Sequence, residues 1–186
     1  GIPVLLGGAH VSAFPKEVLS EEFVDYVITG EGERAFIEFI DYLLGNRVRE
    51  EVSGLGYKKD GNIILNQSSP NYPLDEIPFP DYSQFPLKRY RYGKRPLASI
   101  LSSRGCPRDC SFCSVHLVFG RSFRERSVQN IIEEIKTRYH EGYRVIDFED
   151  DALIFNRARF LKLCATLKEE FSEGEIEFLA MKIGRA

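Results

Sequence analysis

Ten residues constrain this chain more than any others: Arg104-Gly105-Cys106-Pro107-Arg108-Asp109-Cys110-Ser111-Phe112-Cys113. They hold three of the four cysteines, spaced C-x3-C-x2-C. At that spacing one loop can turn three thiolates toward a single centre. Three is one fewer than the four-cysteine set of an ordinary iron–sulfur site, so a cubane cluster held here would keep one iron open to a small molecule. The preceding Leu97-Ala98-Ser99-Ile100-Leu101 reads as a buried strand. The loop therefore starts where a strand ends, which is where α/β folds put their chemistry. A zinc site is the alternative: His116 follows Cys113 closely and closes a Cys3His tetrahedron with Cys106, Cys110 and Cys113. A disulfide reading is weaker, because no signal-peptide pattern is present and clustered cysteines in an intracellular chain are more often metal ligands.

Hydrophobic content of 43% and charged content of 28% over 186 residues indicate a globular protein of one domain or two small ones. No apolar run is long enough to span a bilayer. A net charge of -3 supplies no general pull toward nucleic acid or anionic membrane. The local basic cluster Lys88-Arg89-Tyr90-Arg91 reads as a solvated face. Free thiols and an oxygen-labile cluster would suit the cytoplasm. The chain starts at Gly1 and stops at Gly184-Arg185-Ala186, just after an apolar run from Ile176 to Ile183 that reads as a strand. Both ends read as cuts in a longer protein, and the isolated stretch is expected to be poorly soluble.

The first third alternates strand and helix. Val4-Leu5-Leu6 is a buried strand ending in Gly7-Gly8, Pro15 opens a helix, and Val24 to Ile28 is a second strand with Gly30 at its end. Phe36, Phe39, Ile40 and Leu43 then repeat at helical spacing until Gly45-Asn46. This order fits half of a doubly wound parallel sheet, in which ligands lie beyond the carboxyl ends of the strands. Gly7, Gly8 and Gly30 stand at two such ends, where glycine is also an ordinary turn residue. His10 reads as a loop residue, and Glu31 and Glu33 as complements to a helix dipole. Residues 54–66 read as a hairpin turning at Asp60-Gly61. Six of the nine prolines lie between Pro70 and Pro96, so an extended connection follows, with Tyr72, Phe79, Tyr82 and Phe85 as anchors.

After the cysteine loop, Ser127 caps a helix whose stripe is Val128, Ile131, Ile132, Ile135 and Tyr139. Val145, Ile146 and Phe148 form the next strand. Asn156 caps a helix whose stripe is Phe160, Leu163, Cys164, Leu167 and Phe171, which makes Cys164 an inert core thiol. A strand from Ile176 follows. Between them, Glu149-Asp150-Asp151 gathers three carboxylates that repel one another unless a cation is near. Alternation puts Glu149 and Asp151 on one side and Asp150 on the other. A solvated, helix-leading acidic turn accounts for them equally well. Arg104, Arg124 and Arg126 either neutralise charge near the loop or face solvent.

Cys106, Cys110 and Cys113, with Phe112 before the last of them, resemble the signature of radical S-adenosylmethionine (SAM) enzymes. Gly7-Gly8-Ala9-His10, Gly30-Glu31-Gly32-Glu33 and Phe148-Glu149-Asp150-Asp151 resemble the subgroup with an N-terminal cobalamin-binding domain. The resemblance covers nearly the whole chain. It implies an α/β fold: the C-terminal half of a Rossmann-like cobalamin-binding domain (1–50), a hairpin and proline-rich linker (51–96), and the N-terminal half of a partial (β/α)6 TIM-like barrel (97–186). It implies a [4Fe–4S] cluster on Cys106, Cys110 and Cys113, whose open iron chelates SAM. An electron from the cluster then yields methionine and a 5′-deoxyadenosyl radical. Phe112 would pack near the adenine, and Glu149, Asp150 or Asp151 would receive the ammonium group of SAM, where relatives often carry Gly-Gly-Glu. Gly7, Gly8 and Gly30 would admit the nucleotide tail of cobalamin. The Asp-x-His-x-x-Gly motif that carries the lower cobalt ligand is absent from this sequence. The expected reaction is radical methyl transfer to a small-molecule substrate, with an electron donor such as flavodoxin or ferredoxin. The alternatives are radical cyclisation or rearrangement and, from another class, a non-catalytic zinc-stabilised binding module.

Overall fold

The computed structural model describes residues 1–68, 72–86 and 89–180. The chain divides into two units, Gly1–Asn71 with Gly105–Ser122, and Tyr72–Arg104 with Phe123–Ala186.

In the first unit, β1 (Leu5–Leu6) leads into α1 (Ala9–Ala13) and α2 (Pro15–Ser20), with Pro15 in the first helical turn where its missing N–H costs nothing. Then come β2 (Tyr26–Ile28) and α3 (Gly32–Leu43). The expected hairpin is present as β3 (Leu55–Lys59) and β4 (Asn62–Leu65), with Asp60-Gly61 between the paired Lys59 and Asn62. It adds to the first sheet, whose order is β1-β2-β3-β4. β1 and β2 are parallel and the hairpin joins antiparallel, so the sheet is mixed rather than wholly parallel. His10 lies in α1, not in a loop.

The face of α3 differs from the expected one. Ala35, Glu38 and Phe39 are buried, whereas Phe36, Ile37, Ile40, Leu43 and Leu44 are exposed. Apolar residues surround this helix, so periodicity alone did not select the face. The buried carboxylate of Glu38 does: it accepts from Arg34 Nε and the Ser53 amide, both at 2.8 Å. A buried acid so paired fixes the rotation of the helix, because turning it outward would strip the Ser53 amide donor.

The second unit holds β5 (Arg91–Tyr92), β6 (Arg95–Ile100) and the short β7 (Ser103–Arg104). After α4 (Val115–Phe119), which belongs to the first unit, come β8 (Arg124–Glu125), α5 (Val128–His140), β9 (Val145–Phe148), α6 (Arg157–Glu170) and β10 (Glu177–Ala180). The second sheet has the order β10-β9-β6-β5, and β6, β9 and β10 are parallel. The succession β6–α5–β9–α6–β10 is the strand–helix repeat expected of the opening half of a barrel; among the described residues the sheet stays open. Residues 181–186, the end of the expected last strand, and Lys88 of the basic cluster lie outside the described residues.

Ile131, Ile132, Ile135, Ile146 and Leu163, each at most 1% exposed, form the centre of the second core. Burying such a side chain stabilises by about 1.5–3 kcal/mol. Ser127 and Asn156 cap α5 and α6 by accepting the amides of Asn130 and Arg159. Cys164 is exposed, contrary to the core role expected of it. The buried line of α6 runs through Arg159, Leu163 and Leu167, and Cys164 stands one residue round from it. Of the four aromatic anchors, Tyr82 is the firmest. Its hydroxyl donates to the Ser99 carbonyl at 2.6 Å and its ring stacks edge-on to Tyr143. Phe79 lies under the Arg126 guanidinium, whereas Tyr72 and Phe85 are exposed.

Candidate functional site

The residues singled out by sequence fall at two strand ends and on one loop. In the first unit, Gly7, Gly8 and Gly30 come together at the carboxyl ends of β1 and β2. With Gly32 and Phe36 they line a cavity of about 330 Å3 whose walls include Leu5, Leu6 and Ile28. Gly8 has φ 103° and ψ -173°, a conformation essentially confined to glycine. A Cβ built on it meets nothing within 4 Å, so a side chain there would stand in open space. Ser12, which sequence reasoning missed, ties the two strand ends together. Its hydroxyl donates to the Gly8 carbonyl and accepts from the Gly30 amide, both at 2.9 Å. The lining therefore combines apolar side-chain walls with backbone left uncovered at the glycines, which suits an apolar ligand or part of one.

The cysteine loop starts at Gly105, φ 81°, where a Cβ would collide with the Ser122 carbonyl oxygen. The two ends of the loop thus meet backbone to backbone, an approach only glycine permits. The Cys113 amide donates to the Cys110 carbonyl at 3.1 Å, closing a turn between those two cysteines. Cys106 and Cys113 are half-buried, Cys110 is exposed, and all are free thiols. Three unpaired thiols on an irregular loop are a donor set suited to a soft metal centre. In this structure they share a loop but not a common point: among the described residues no three His, Cys, Asp or Glu side chains are placed to hold one ion. His116, on α4, completes no tetrahedron with them. Phe112 is 71% exposed and anchors nothing in a core. The Arg121–Asp109 pair at 2.7 Å spans the loop, but its exposure limits it to about 0–1 kcal/mol. The helix that follows the cysteines, α4, packs on α1. Its Val118 carbonyl lies 3.6 Å from where a Gly30 Cβ would be, so the loop's exit borders the glycine-lined cavity.

The acidic turn closes β9 in the second unit. Glu149 and Asp151 are exposed and Asp150 is buried, as alternation along a strand requires. Asp150 accepts from the Ser102 amide at 3.0 Å, from the Ser102 hydroxyl at 2.8 Å and from the Ser103 hydroxyl. Glu149 has another environment. Partial burial, the charge of Asp147 and a hydrogen bond with Asp147 push its carboxyl above the ordinary range, partly offset by Ser99. Asp147 lies two residues back on the same face, and its Oδ1 is buried without a hydrogen-bond partner among the described residues.

The arginines near the motif have structural work. Arg126 donates to Glu134 at 2.5 Å and to the Leu101 carbonyl at 2.8 Å, and Arg124 donates to the Tyr72 carbonyl at 2.9 Å. Arg159 is buried and donates to the Ser102 carbonyl at 2.5 Å and the Arg126 carbonyl at 3.0 Å. Desolvation lowers its pKa. Ser102, Ser103 and Arg159 were not foreseen. Only the position of the serine pair, directly before Arg104-Gly105-Cys106, was there to suggest them.

No protein-family model matches the chain. It is 36% identical over 173 residues to an uncharacterized methyltransferase of Pyrococcus horikoshii, covering 90% of this chain and 37% of that protein. It is 30% identical over 170 residues to the anaerobic magnesium-protoporphyrin IX monomethyl ester cyclase of Cereibacter sphaeroides, covering 86% of this chain and 27% of the cyclase. Among solved structures, the radical SAM methyltransferase TsrM of Kitasatospora setae, with cobalamin and a [4Fe–4S] cluster bound, superposes with a TM-score of 0.71 at 17% identity, over 95% of this chain and 36% of TsrM. That likeness is one of fold. The chain thus spans roughly a third of the length of the proteins it matches.

Proposed function

We propose that this chain, which belongs to the radical SAM enzymes with an N-terminal cobalamin-binding domain, supplies the cluster loop and part of the SAM and cobalamin sites of a radical methyltransferase. The observation that carries the reading is the loop itself: three free thiols within eight residues, spaced C-x3-C-x2-C, entered through a glycine that nothing else can replace. When bound, a [4Fe–4S] cluster would supply the electron that splits SAM to methionine and a 5′-deoxyadenosyl radical, and cobalamin would carry the methyl group.

Cys106, Cys110 and Cys113 would ligate the cluster, leaving one iron for SAM. Gly7, Gly8 and Gly30 would let the cobalamin tail lie against backbone, in a cavity where a Cβ would intrude. Glu149, exposed at the end of β9, is the best-placed acceptor for the SAM ammonium group, with Asp151 beside it. A cation there would relieve the repulsion from Asp147 that now favours the protonated acid. Phe112, exposed, offers a face on which an adenine can stack. Boundaries of 1–50, 51–96 and 97–186 remain our proposed division by role. A small-molecule substrate, a flavodoxin- or ferredoxin-type electron donor and a cytoplasmic setting complete the proposal.

The similarity to a cyclase supports a second reading, radical ring closure on the same scaffold. Anaerobic iron–sulfide reconstitution of the complete protein tests the shared chemistry. The protein should turn brown, bind about four irons, and change its spectrum with SAM. Cys106→Ala, Cys110→Ala or Cys113→Ala should each abolish the cluster, whereas Cys164→Ala should retain it. A colourless protein holding one zinc would reject the enzyme reading in favour of a binding module.

A further inference from the structure

We propose that Asp150 is a positioning residue for the cysteine loop: its buried carboxylate holds Ser102 and Ser103, the residues from which the loop departs, rather than the ammonium group of SAM. The inference rests on the reading that the loop carries the cluster, and it separates Asp150 from its two acidic neighbours.

Asp150 is 8% exposed, and Ser102 and Ser103 are 0% and 1% exposed. An ionised carboxylate offers about four acceptor sites, and three are already filled by these two serines. A buried acid so supplied with donors needs no ligand cation to be satisfied. The same short stretch is gripped from the other side. The Ser102 carbonyl accepts from Arg159 Nη2 at 2.5 Å and from the Arg126 amide at 2.9 Å, and the Leu101 carbonyl accepts from Arg126 Nη1. The returning strand belongs to the same knot. β8 pairs with β7, Asn156 donates to Glu125 Oε1 at 2.8 Å, and Arg159 Nε lies 3.7 Å from Glu125 Oε2. Every polar group of Ser102 is thus committed; buried groups hold the entry stem, and the return stem joins it through β8 and the exposed Glu125.

The loop between the stems is irregular, with thiols half-buried or exposed. Bringing three ligands to one centre costs conformational entropy, and that cost falls when the ends of the loop are already fixed. Asp150 fixes the entry end. Glu149 and Asp151 are exposed on the other side of the turn.

The test compares the complete protein with its Asp150→Asn and Ser103→Ala variants. Asn keeps the shape but loses the charge, and Ser103→Ala removes one donor without touching the turn. Three quantities are read: amide hydrogen exchange at residues 101–104 without metal, the rate of iron loss to a chelator after reconstitution, and SAM affinity per loaded cluster. Both variants should exchange faster at 101–104 by about tenfold or more, the effect of losing a hydrogen bond to a charged group. Both should lose iron faster, with SAM affinity unchanged. Reduced SAM affinity in Asp150→Asn with normal iron retention would make Asp150 a SAM ligand and overturn the proposal. So would unchanged exchange in both variants, or faster exchange without faster iron loss. If Asp150→Asn does not fold, Ser103→Ala decides by the same criteria. An unaltered protein that takes up no iron would refute the cluster reading, while the metal-free exchange arm would still decide whether Asp150 holds the stem.

Discussion

Two of the parallel strand pairs, β1–β2 and β6–β9, end in opposite ways. Beyond β1 and β2 the chain has emptied its strand ends: Gly7, Gly8 and Gly30 leave a cavity with backbone on show, and one serine hydroxyl joins the two ends. Beyond β6 and β9 it has filled them: Asp150, Ser102, Ser103 and Arg159 are all buried and bonded to one another or to neighbouring carbonyls. Both ends obey the rule that parallel sheets work at their carboxyl edge. The difference teaches what each edge is for. Removing side chains makes room for a ligand larger than a side chain; adding buried charges holds polypeptide still. A cofactor tail fits the first description and the stem of a ligand loop fits the second.

The largest effect should come from beneath the filled end. Glu134 is 2% exposed and pairs with Arg126 at 2.5 Å and with Arg138 at 3.3 Å. Arg138, itself 1% exposed, also binds Glu141 at 2.8 Å and the Pro80 carbonyl at 2.6 Å, and it lies over the Tyr82 ring. Removing one acid leaves two guanidinium groups short of a partner in the interior. Glu134→Ala should therefore lower stability in urea unfolding by about 3–5 kcal/mol. A loss under 1 kcal/mol would mean that water compensates the arginines and that this end is less tightly filled than it looks.

The emptied end should break differently. Gly8→Ala forces a Cβ into a backbone region that residues other than glycine avoid, at about 1–3 kcal/mol. The Cβ itself meets no protein atom. Its stability cost is thus one of backbone strain alone. In the complete protein, Gly8→Val should lose cobalamin uptake, measured by the absorbance of bound cofactor, while the cluster loads normally. Normal cobalamin uptake would show that the cavity serves something else.

How much of this was written in the sequence depends on range. The capping residues Ser127 and Asn156, the turn at Asp60-Gly61 and the stripe of α5 are local, and local rules found them. The cysteine loop was legible because its spacing is itself the signal. The face of α3 was not, because Phe36, Phe39, Ile40 and Leu43 offer two overlapping stripes, and the decision fell to Glu38 meeting the Ser53 amide fifteen residues on. Cys164 was misplaced by a single step around α6, within the tolerance of any periodicity argument. The Asp150 knot was out of reach for another reason. It joins residues 48 and 57 positions apart, and no local pattern marks a serine pair as the target of a distant acid and a distant arginine.

The smallest expected effect concerns Glu149, the acid on the outer side of the same turn. Its folded-state pKa is raised, first by partial burial and then by Asp147. A carboxyl raised in this way favours the protonated form in the folded protein. Its contribution to stability is fully present below the ordinary carboxylate pKa and is lost as pH rises through the raised value. Relative to Glu149→Gln, which cannot ionise, the unaltered protein should therefore lose stability as pH rises from the ordinary carboxylate range through the raised value. The effect should be small, because the group is largely solvent-screened. Unfolding free energies of the two proteins across that range give the measurement. The comparison sharpens when SAM is added to the reconstituted, complete protein. If Glu149 receives the ammonium group, binding favours the ionised acid, so SAM affinity should rise with pH over the same window and the dependence should vanish in Glu149→Gln. Asp150→Asn should leave that pH dependence intact, because the inner acid serves the loop stem. A stability difference that grows instead of shrinking as pH rises would reverse the sign of the Asp147–Glu149 interaction and remove Glu149 as the cation acceptor.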